Sequence, residues 1–366
     1  MTDYLEIKWR GRDRERLERM RSLFLARSEG GAPAATGDYW ATERDLELYD
    51  ATYGARIGWK WDRVLGEALA KGLVGGDGAQ RDGDEARSAP WNVVDWGCGT
   101  GVASRRAAAA GLIPSGARVH LDDRSSAARS FAATRLRAEA PELDVRIGPA
   151  PLGAAIDLLL VSHVISELDP RALDDLLALA TGAARVVWVE PGARMIARSL
   201  SEVRDSLLPT HLPLAPCPHA GACGTLAPGN EDEWCHHFPE PPQEAFIEGF
   251  WARFAQELDI DRRSLATSFL VLARRDVAPA EEDDPKRARI LGRPRIEKGK
   301  ALVDVCDASG FSRCELWKRD APRVWRAWKK ASRAVLDYRF ERDGARITRV
   351  LSGPGVDSGG DPSEDA

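Results

Sequence analysis

The sequence has no long apolar run, which excludes a membrane-spanning helix of ordinary length. The apolar stretch around 156–161, which Asp157 interrupts, is far shorter than the roughly 20 residues that cross a bilayer. The first ten residues contain acids and lack an apolar segment, so we expect no secretory signal. Six cysteines in a chain of 366 residues do not indicate a disulfide scaffold, and a reducing cytoplasm is the expected compartment.

Net charge is also small, but it is unevenly distributed along the chain. The formal value is −5, which by itself argues against a nucleic-acid partner. Residues 286–350 nevertheless hold 19 lysines and arginines against 8 acids, a surplus of +11, which leaves −16 for the rest of the chain. This surplus predicts either a basic face suited to phosphate backbones or an ordinary solvated surface.

The composition, 43% hydrophobic and 30% charged residues, is that of a globular protein with ample core material. Residues 1–88 are predicted to be mainly helical, because apolar residues over 43–73 recur every three or four positions. The Gly/Asp/Ser-rich segment 72–89 is predicted to link this region flexibly to the first strand.

Residues 91–106 read W-N-V-V-D-W-G-C-G-T-G-V-A-S-R-R and predict a strand, a glycine turn and a helix. Glycines allow a sharp turn next to a ligand, and the helix N-terminus behind them offers unpaired N–H groups. A dinucleotide fingerprint would read G-x-G-x-x-G. The spacing here is G-x-G-x-G, which resembles the first motif of class I S-adenosylmethionine-dependent methyltransferases. An ordinary strand–helix turn of another α/β fold is the alternative.

Strands and helices alternate after this turn, which predicts an α/β fold with a parallel sheet. One strand ends at Asp122 and Asp123, where an acid binds ribose hydroxyls in such folds, and the pattern D-x-S favours Asp123. Either acid can instead stabilise a helix N-terminus. We expect His163 either to contact the cofactor or substrate or to have a structural role. The predicted cofactor site comprises Asp95, Gly97, Cys98, Gly99, Gly101, Asp122, Asp123, Ser162, His163 and Glu190.

Cys217, Cys223 and Cys235 lie within nineteen residues of a Pro/Gly-rich insertion, 209–242. So little apolar material surrounds them that we expect a metal to crosslink the loop. The spacings are longer than those of zinc knuckles, so an iron–sulfur cluster is at least as plausible as zinc, and free thiols are the third possibility. The residues leave the fourth ligand open among Cys306, Cys314, His219, His236 and His237.

The C-terminal part is predicted to form a small basic unit of short strands near residues 290, 301–306 and 311–318, followed by a basic helix over 321–336. Aromatic side chains beside cations can stack on bases and bind phosphates, although tryptophans three residues apart often pack inward. The predicted organisation is a helical region 1–88, a sheet domain 89–276, a linker 277–289, the C-terminal unit 290–352 and a disordered tail 353–366.

Together, these motifs resemble the methyltransferase-like proteins of mitochondrial small-ribosomal-subunit assembly and their bacterial relatives. The matching motifs are D-W-G-C-G-T-G at 95–101, S-H-V-I-S-E-L at 162–168, W-V-E-P-G at 188–192, C-P-H-x-x-x-C at 217–223, W-C-H at 234–236 and V-D-V-C at 303–306. The resemblance implies a Rossmann-like methyltransferase fold that binds S-adenosylmethionine. It also implies a [4Fe–4S] site on Cys217, Cys223, Cys235 and Cys306, with Cys314 outside the set, and binding to small-subunit rRNA.

Two functions of different class follow from these features. The first is an S-adenosylmethionine-dependent methyltransferase that acts on small-subunit rRNA. The second is a non-catalytic, rRNA-binding ribosome assembly factor with the same fold and a structural metal site, zinc included. No general base is assigned, because residues 162–165 read S-H-V-I where amino-group base methyltransferases have an N/D-P-P-aromatic tetrad. We expect a monomer that contacts rRNA through its basic C-terminal unit and has no membrane partner.

Overall fold

The computed structural model describes residues 10–28, 40–73, 89–279, 284–330, 336–353 and 356. Its N-terminal helices are α1 (Asp13–Ser28), α2 (Glu43–Tyr49) and α3 (Ala55–Ala70), and a π-helical turn, Asp50–Gly54, joins the last two. α2 begins at a capping box, in which the side chains of Thr42 and Asp45 each accept a backbone N–H of the other residue. The link predicted over 72–89 lies mostly outside the described residues, which omit 74–88.

Seven described strands form one mixed sheet. They are β1 (Asn92–Trp96), β2 (Arg118–Asp122), β3 (Asp144–Ile147), β4 (Leu158–Ser162), β5 (Arg185–Pro191), β6 (His211–Ala215) and β7 (Thr267–Arg274). The order is β3-β2-β1-β4-β5-β7-β6, with β1 to β5 parallel and β7 antiparallel to both of its neighbours. The predicted α/β sheet is confirmed. The sequence did not predict β6, which lies inside the segment assigned to the cysteine-rich insertion.

Helices cover both faces of this sheet. They are α4 (Val102–Ala109), α5 (Ser126–Glu139), α6 (Pro170–Gly182) and α7 (Arg194–Leu207). Along β4, Leu158 and Leu160 pack in the core that α3, α4 and α5 share, whereas Leu159 and Val161 pack with α6 and α7. Because successive side chains of a strand point to opposite faces, a strand covered on both sides is apolar throughout.

Two further helices, α8 (Glu244–Ile247) and α9 (Gly249–Leu258), follow the cysteine-rich loop and precede β7. Trp251 and Phe254 of α9 pack against Leu46 of α2 and Trp59 of α3 in a third apolar cluster. The N-terminal helices are therefore fastened to the sheet domain by apolar burial, which is worth about 1.5–3 kcal/mol for each large side chain.

The C-terminal residues form a closed five-stranded barrel. Its strands are β8 (Arg287–Glu297), β9 (Lys300–Asp307), β10 (Gly310–Trp317), β11 (Leu336–Asp343) and β12 (Arg346–Ser352), and α10 (Pro322–Lys330) connects β10 to β11. The order around the barrel is β10-β12-β11-β8-β9, with β10 and β12 parallel and the other pairs antiparallel. The sequence did not predict β11 and β12, and β8 begins inside the segment predicted to be a linker.

The amphipathic helix α10 closes one side of the barrel. Trp325 and Trp328 are buried in the barrel core, and Trp328 Nε1 donates a hydrogen bond of 2.7 Å to the hydroxyl of Tyr338. The predicted continuation of this helix over 331–335 and most of the predicted tail lie outside the described residues. In the described ranges, no helix combines the length and apolar composition needed to cross a membrane.

Candidate cofactor pocket and cysteine cavity

The glycine turn borders a pocket of about 840 Å³ at the carboxyl edge of the sheet. The strand order reverses between β1 and β4, and ligands of open α/β sheets bind at such a reversal. β1 leads into Gly97 and Gly99, β4 leads into His163, and all three residues line the pocket. A pocket therefore lies at the sheet edge where the sequence predicted the cofactor site.

Glycine is required at this turn for two physical reasons. Gly97, Gly99 and Gly101 have φ angles of +66°, +51° and +77°, in the left-handed region that favours glycine. A Cβ atom on Gly97 would also lie 2.6 Å from Cγ1 of Val164, and one on Gly101 would lie 3.0 Å from Cβ of Ala132. The turn can therefore pass close to β4 and α5 only without side chains.

Asp122 and Asp123, the two acids at the end of β2, both line the pocket but differ in the hydrogen bonds that they accept. Asp123 accepts the backbone N–H of Gly99 on Oδ2 (2.9 Å) and that of Ser125 on Oδ1 (2.8 Å). Asp122 accepts neither of these bonds. Burial raises the pKa of both carboxyls above the ordinary value. Asp123 thus holds the glycine turn in place, which leaves Asp122 as the acid more available to a ligand.

Four residues of the predicted site, Asp95, Cys98, Gly101 and Glu190, lie outside the lining of the pocket. Asp95 is fully buried behind the turn, and its Oδ2 accepts the backbone N–H of Ser104 at 3.1 Å. Burial raises the pKa of Asp95 to about 6. Cys98 is buried in the core beneath the turn, which raises the pKa of its thiol. These side chains support the turn from behind.

Glu190 fixes the turn that follows β4. Its Oε1 accepts the backbone N–H groups of Val164 (3.0 Å) and Ile165 (3.2 Å) and Nε1 of Trp188 (2.8 Å). Burial raises the pKa of Glu190 to about 7, although these hydrogen bonds oppose the shift. The carboxylate therefore positions the backbone next to His163 without lining the pocket.

The N-terminal region supplies pocket residues that sequence reasoning missed. Trp40, Tyr49, Arg56 and Lys60 all line the pocket. Lys60 is only 8% exposed and lies on the buried face of α3. A lysine inside the apolar spacing of a predicted helix was the signal that could have identified it.

Four of the six cysteines line one small, buried cavity between the sheet domain and the barrel. Cys217 follows β6, Cys223 and Cys235 belong to the loop after it, and Cys306 lies on β9. Cys314 is buried in the barrel core instead. Among the other candidates for a fourth ligand, His219 lines the cavity and His236 and His237 do not.

Polar groups surround these thiols. Nε of the buried Arg204 donates to Sγ of Cys217 at 3.1 Å, and Nε2 of His219 lies 3.4 Å from Sγ of Cys306. Burial raises the pKa of the thiols of Cys217, Cys235 and Cys306. In the part of the chain that the structure describes, no group of three or more Cys, His, Asp or Glu side chains stands in position to hold a metal ion.

Comparison with protein families identifies the chain. The model of the family "mitochondrial small ribosomal subunit Rsm22" matches residues 87–334, which is more than half of the chain. The chain belongs to the Rsm22 family. The resemblance inferred from the motifs is thereby confirmed, and the family match covers the glycine turn, all six cysteines and most of the barrel. No curated protein matches the sequence.

Several solved structures match the chain at low sequence identity. PH1948 of Pyrococcus horikoshii, a proposed RNA methyltransferase, is 14% identical, with 70% of this chain and 98% of that chain covered and a TM-score of 0.35. The plantazolicin methyltransferase BpumL, solved with S-adenosylhomocysteine, is 11% identical, with 70% and 99% covered and a TM-score of 0.35. The mitomycin 7-O-methyltransferase MmcR is 17% identical, with 54% and 64% covered and a TM-score of 0.34.

Proposed function

We propose that this protein binds S-adenosylmethionine in the pocket at the carboxyl edge of the sheet and acts on small-subunit rRNA during ribosome assembly. The supporting observation is the pocket itself, in which the glycine turn after β1, the acids after β2 and the turn after β4 meet. Its volume lies within the usual range for small-molecule sites. The bound cofactor would supply a methyl group that is activated by a positively charged sulfur.

The chain's own residues fit such a cofactor. Gly97 and Gly99 keep side chains away from the pocket wall, where their backbone can approach a ligand closely. Asp122 and Asp123 offer carboxylate oxygens to ribose hydroxyls. Trp40, which lies 3.6 Å from the position of a Cβ on Gly99, adds an apolar wall for a planar group.

The C-terminal barrel supports binding to rRNA. With β8 counted as the first strand, the barrel order is 1-2-3-5-4, the first strand pairs with the fourth, and a helix connects the third to the fourth. This is the arrangement of oligonucleotide-binding barrels, which bind single-stranded nucleic acids. α10 exposes Arg323, Arg326 and Lys329, while the surrounding segment holds the basic surplus of the chain.

We also propose that Cys217, Cys223, Cys235 and Cys306 hold a [4Fe–4S] cluster. The proposal is supported by the cavity that these four thiols line, because four thiolates are the donor set of such a cluster, and thiolates also bind zinc, which is the alternative metal. The N–H donor of Arg204 would stabilise thiolate charge at Cys217. Because Cys306 lies on the barrel and the other three on the sheet domain, the metal would join the two units.

The second candidate function is a non-catalytic assembly factor that binds rRNA with the same fold and uses the metal structurally. The turn after β4, which reads S-H-V-I, favours it, because the tetrad of amino-group base methyltransferases is missing there. Incubation of the purified protein with immature small subunits and methyl-labelled S-adenosylmethionine separates the two functions. Label in the rRNA supports the enzyme, whereas bound but unlabelled rRNA supports the factor.

A charge-removal variant tests the RNA surface. Arg323→Ala/Arg326→Ala/Lys329→Ala should weaken binding to immature small subunits at least tenfold, because phosphate contacts dominate affinity for nucleic acids. Its matched control is Arg14→Ala/Arg253→Ala/Arg263→Ala, which removes three exposed cations outside the barrel, on α1, on α9 and in the segment before β7. Equal affinity of the two variants for immature small subunits would exclude this face of the barrel as the rRNA-binding surface.

A further inference from the structure

The pocket contains a buried lysine that cofactor binding does not require. Lys60 lies on the buried face of α3, next to Trp61 and three residues from Ile57. Its side chain lines the pocket and is 8% exposed in total. Because an isolated buried ammonium is costly, a lysine in such a place favours its neutral form.

The side chains of Lys60 and His163 lie next to each other in the wall of the pocket. Nζ of Lys60 lies 3.4 Å from Nε2 of His163. The backbone of His163 has a φ angle of +57° and donates its N–H to the carbonyl of Val189 at 2.8 Å. A non-glycine residue in this left-handed region is strained, and such residues cluster at functional sites. The Glu190 hydrogen bonds to the next two residues hold the turn in this conformation.

Burial and two charged groups set the titration of Lys60. Burial of the site and Arg56 on the same helix lower the pKa of Lys60 to about 7, and Glu190 on β5 acts in the opposite direction. Burial and Lys60 hold the pKa of His163 well below its usual value, so its imidazole is neutral. Near neutral pH, the pair therefore contains an amine that can accept a proton and an imidazole nitrogen that can receive its hydrogen bond.

The pair also lies where a reaction at this sheet edge would occur. His163 follows β4, directly across the topological switch point from Gly97. Trp61 Nε1 donates to Oγ of Ser162 at 2.9 Å, which fastens the helix of Lys60 to the end of β4. This hydrogen bond fixes the position of α3, which carries Lys60, relative to the end of β4, which leads into His163.

We propose that Lys60, positioned by His163, accepts the proton that a neutral N–H or O–H group of the substrate loses when it is methylated. This inference rests on the proposed function. Methylation of such a group forms a bond to the methyl carbon, breaks the methyl–sulfur bond with its electron pair left on sulfur, and releases one proton to Nζ. The substrate class is accordingly an exocyclic amine or a hydroxyl, whose proton must leave, rather than a ring nitrogen that carries none.

The first test measures the titration of Lys60 without any activity. The chain has nine lysines, so a protein labelled with ¹³C at the lysine ε-carbon gives few signals, and Lys60→Met assigns the one from Lys60. We expect its midpoint about three pH units below the ordinary lysine value of about 10.4. A midpoint for Lys60 above pH 9 would overturn the inference.

The second test compares rates of methyl transfer to immature small subunits. Lys60→Met and Lys60→Arg should each reduce the rate at least about 100-fold, the usual contribution of a general base, while affinity for S-adenosylhomocysteine stays within threefold of wild type. Lys60→Arg keeps the charge but cannot accept a proton, and Lys71→Met at the end of the same helix is the control. The wild-type rate should fall as pH decreases below about 7.

The outcomes separate this inference from the proposed function. If the wild type transfers methyl groups and Lys60→Met does so within fivefold of its rate, Lys60 is not the proton acceptor, and the proposed methyltransferase function stands. If the wild type binds cofactor and rRNA but transfers nothing at any pH, the catalytic form of the proposed function and this inference both fail. Loss of transfer in both Lys60 variants with retained cofactor binding supports the inference.

Discussion

Arg289 on β8 donates from one guanidinium nitrogen to both carboxylate oxygens of Glu67 on α3, at 3.0 and 2.9 Å. The arginine is 2% exposed and lines the cysteine cavity. Its Nη1 lies 3.3 Å from Asp337 on β11. One buried side chain therefore connects the barrel to a helix of the pocket, next to the proposed cluster.

Removal of this side chain should destabilise the protein strongly. Arg289→Ala leaves Asp337 without this cation and leaves the more buried Glu67 with only the half-exposed Arg63, and we expect a loss of about 3 kcal/mol in the free energy of unfolding in urea. Arg289→Met combined with Glu67→Leu should recover most of the loss, because it also removes the more buried of the two acids. Arg295→Ala, at an exposed position of the same strand, should change stability by less than about 0.5 kcal/mol. A similar small effect of Arg289→Ala would contradict this account.

Gly97 and Gly111 provide a matched pair of glycine substitutions. Both have positive φ angles, but only Gly97 has an atom within reach of an added Cβ. Gly111→Ala should cost about 1 kcal/mol for its backbone conformation alone. Gly97→Ala should cost about 3 kcal/mol, because the clash with Val164 is added. Thermal unfolding of the two variants measures the difference. Equal melting temperatures would show that the turn after β4 shifts to accept the added Cβ at little cost in stability.

Asp122 and Asp123 should respond differently to neutralisation. We expect Asp122→Asn to weaken binding of S-adenosylhomocysteine 10- to 100-fold, or about 1.5–3 kcal/mol, without a change in stability. Asp123→Asn should lower both affinity and stability, since its carboxylate also holds the N–H groups of Gly99 and Ser125. Calorimetric titration and urea unfolding give the two quantities. If Asp122→Asn binds S-adenosylhomocysteine as tightly as wild type does, Asp123 is the acid that binds the ribose.

The proposed cluster predicts different metal contents for two cysteine variants. Anaerobically purified wild type should be brown and contain about four iron and four sulfide ions per chain. Cys306→Ser should lose most of both, whereas Cys314→Ser, which changes a thiol in the barrel core, should keep them. Zinc in place of iron would establish the alternative metal. Loss of metal in Cys314→Ser alone would refute the assigned ligand set.

Asp95 should make stability depend on pH. Because burial raises its pKa in the folded protein to about 6, from about 3.9 in the unfolded chain, the folded state binds more protons between these values. Its contribution to the free energy of unfolding therefore falls as pH rises from about 4 to 6. Asp95→Asn removes this loss. The variant should gain up to about 3 kcal/mol over wild type at pH 7 relative to pH 4, and a difference independent of pH would disprove the assignment.

Local sequence patterns predicted much of the sheet domain. The glycine turn, the acids after β2 and the apolar strand before His163 are readable because each is set by backbone sterics and side-chain alternation over a few residues. Three strands were missed for the converse reason. β6, β11 and β12 have weak local patterns, and each exists because it pairs with a strand distant in the sequence.

The cysteines show both sides of this division. The close spacing of Cys217, Cys223 and Cys235 in a loop with little apolar material was visible in the sequence. Their residues alone left five candidates for a fourth position. Pairing of β9 within the barrel, and docking of the barrel against the loop, brought Cys306 to the cavity and turned Cys314 into the barrel core.

The sequence by itself determined the α/β class and the identity of its family and predicted a ligand site at one edge of the sheet, because these depend on short motifs and their order. Only the tertiary structure decided that Asp123, and not Asp122, accepts the N–H groups that hold the glycine turn, and that Lys60 meets His163. The two residues of that pair are 103 positions apart. Their contact results from the packing of α3 across the end of β4, which no local pattern contains.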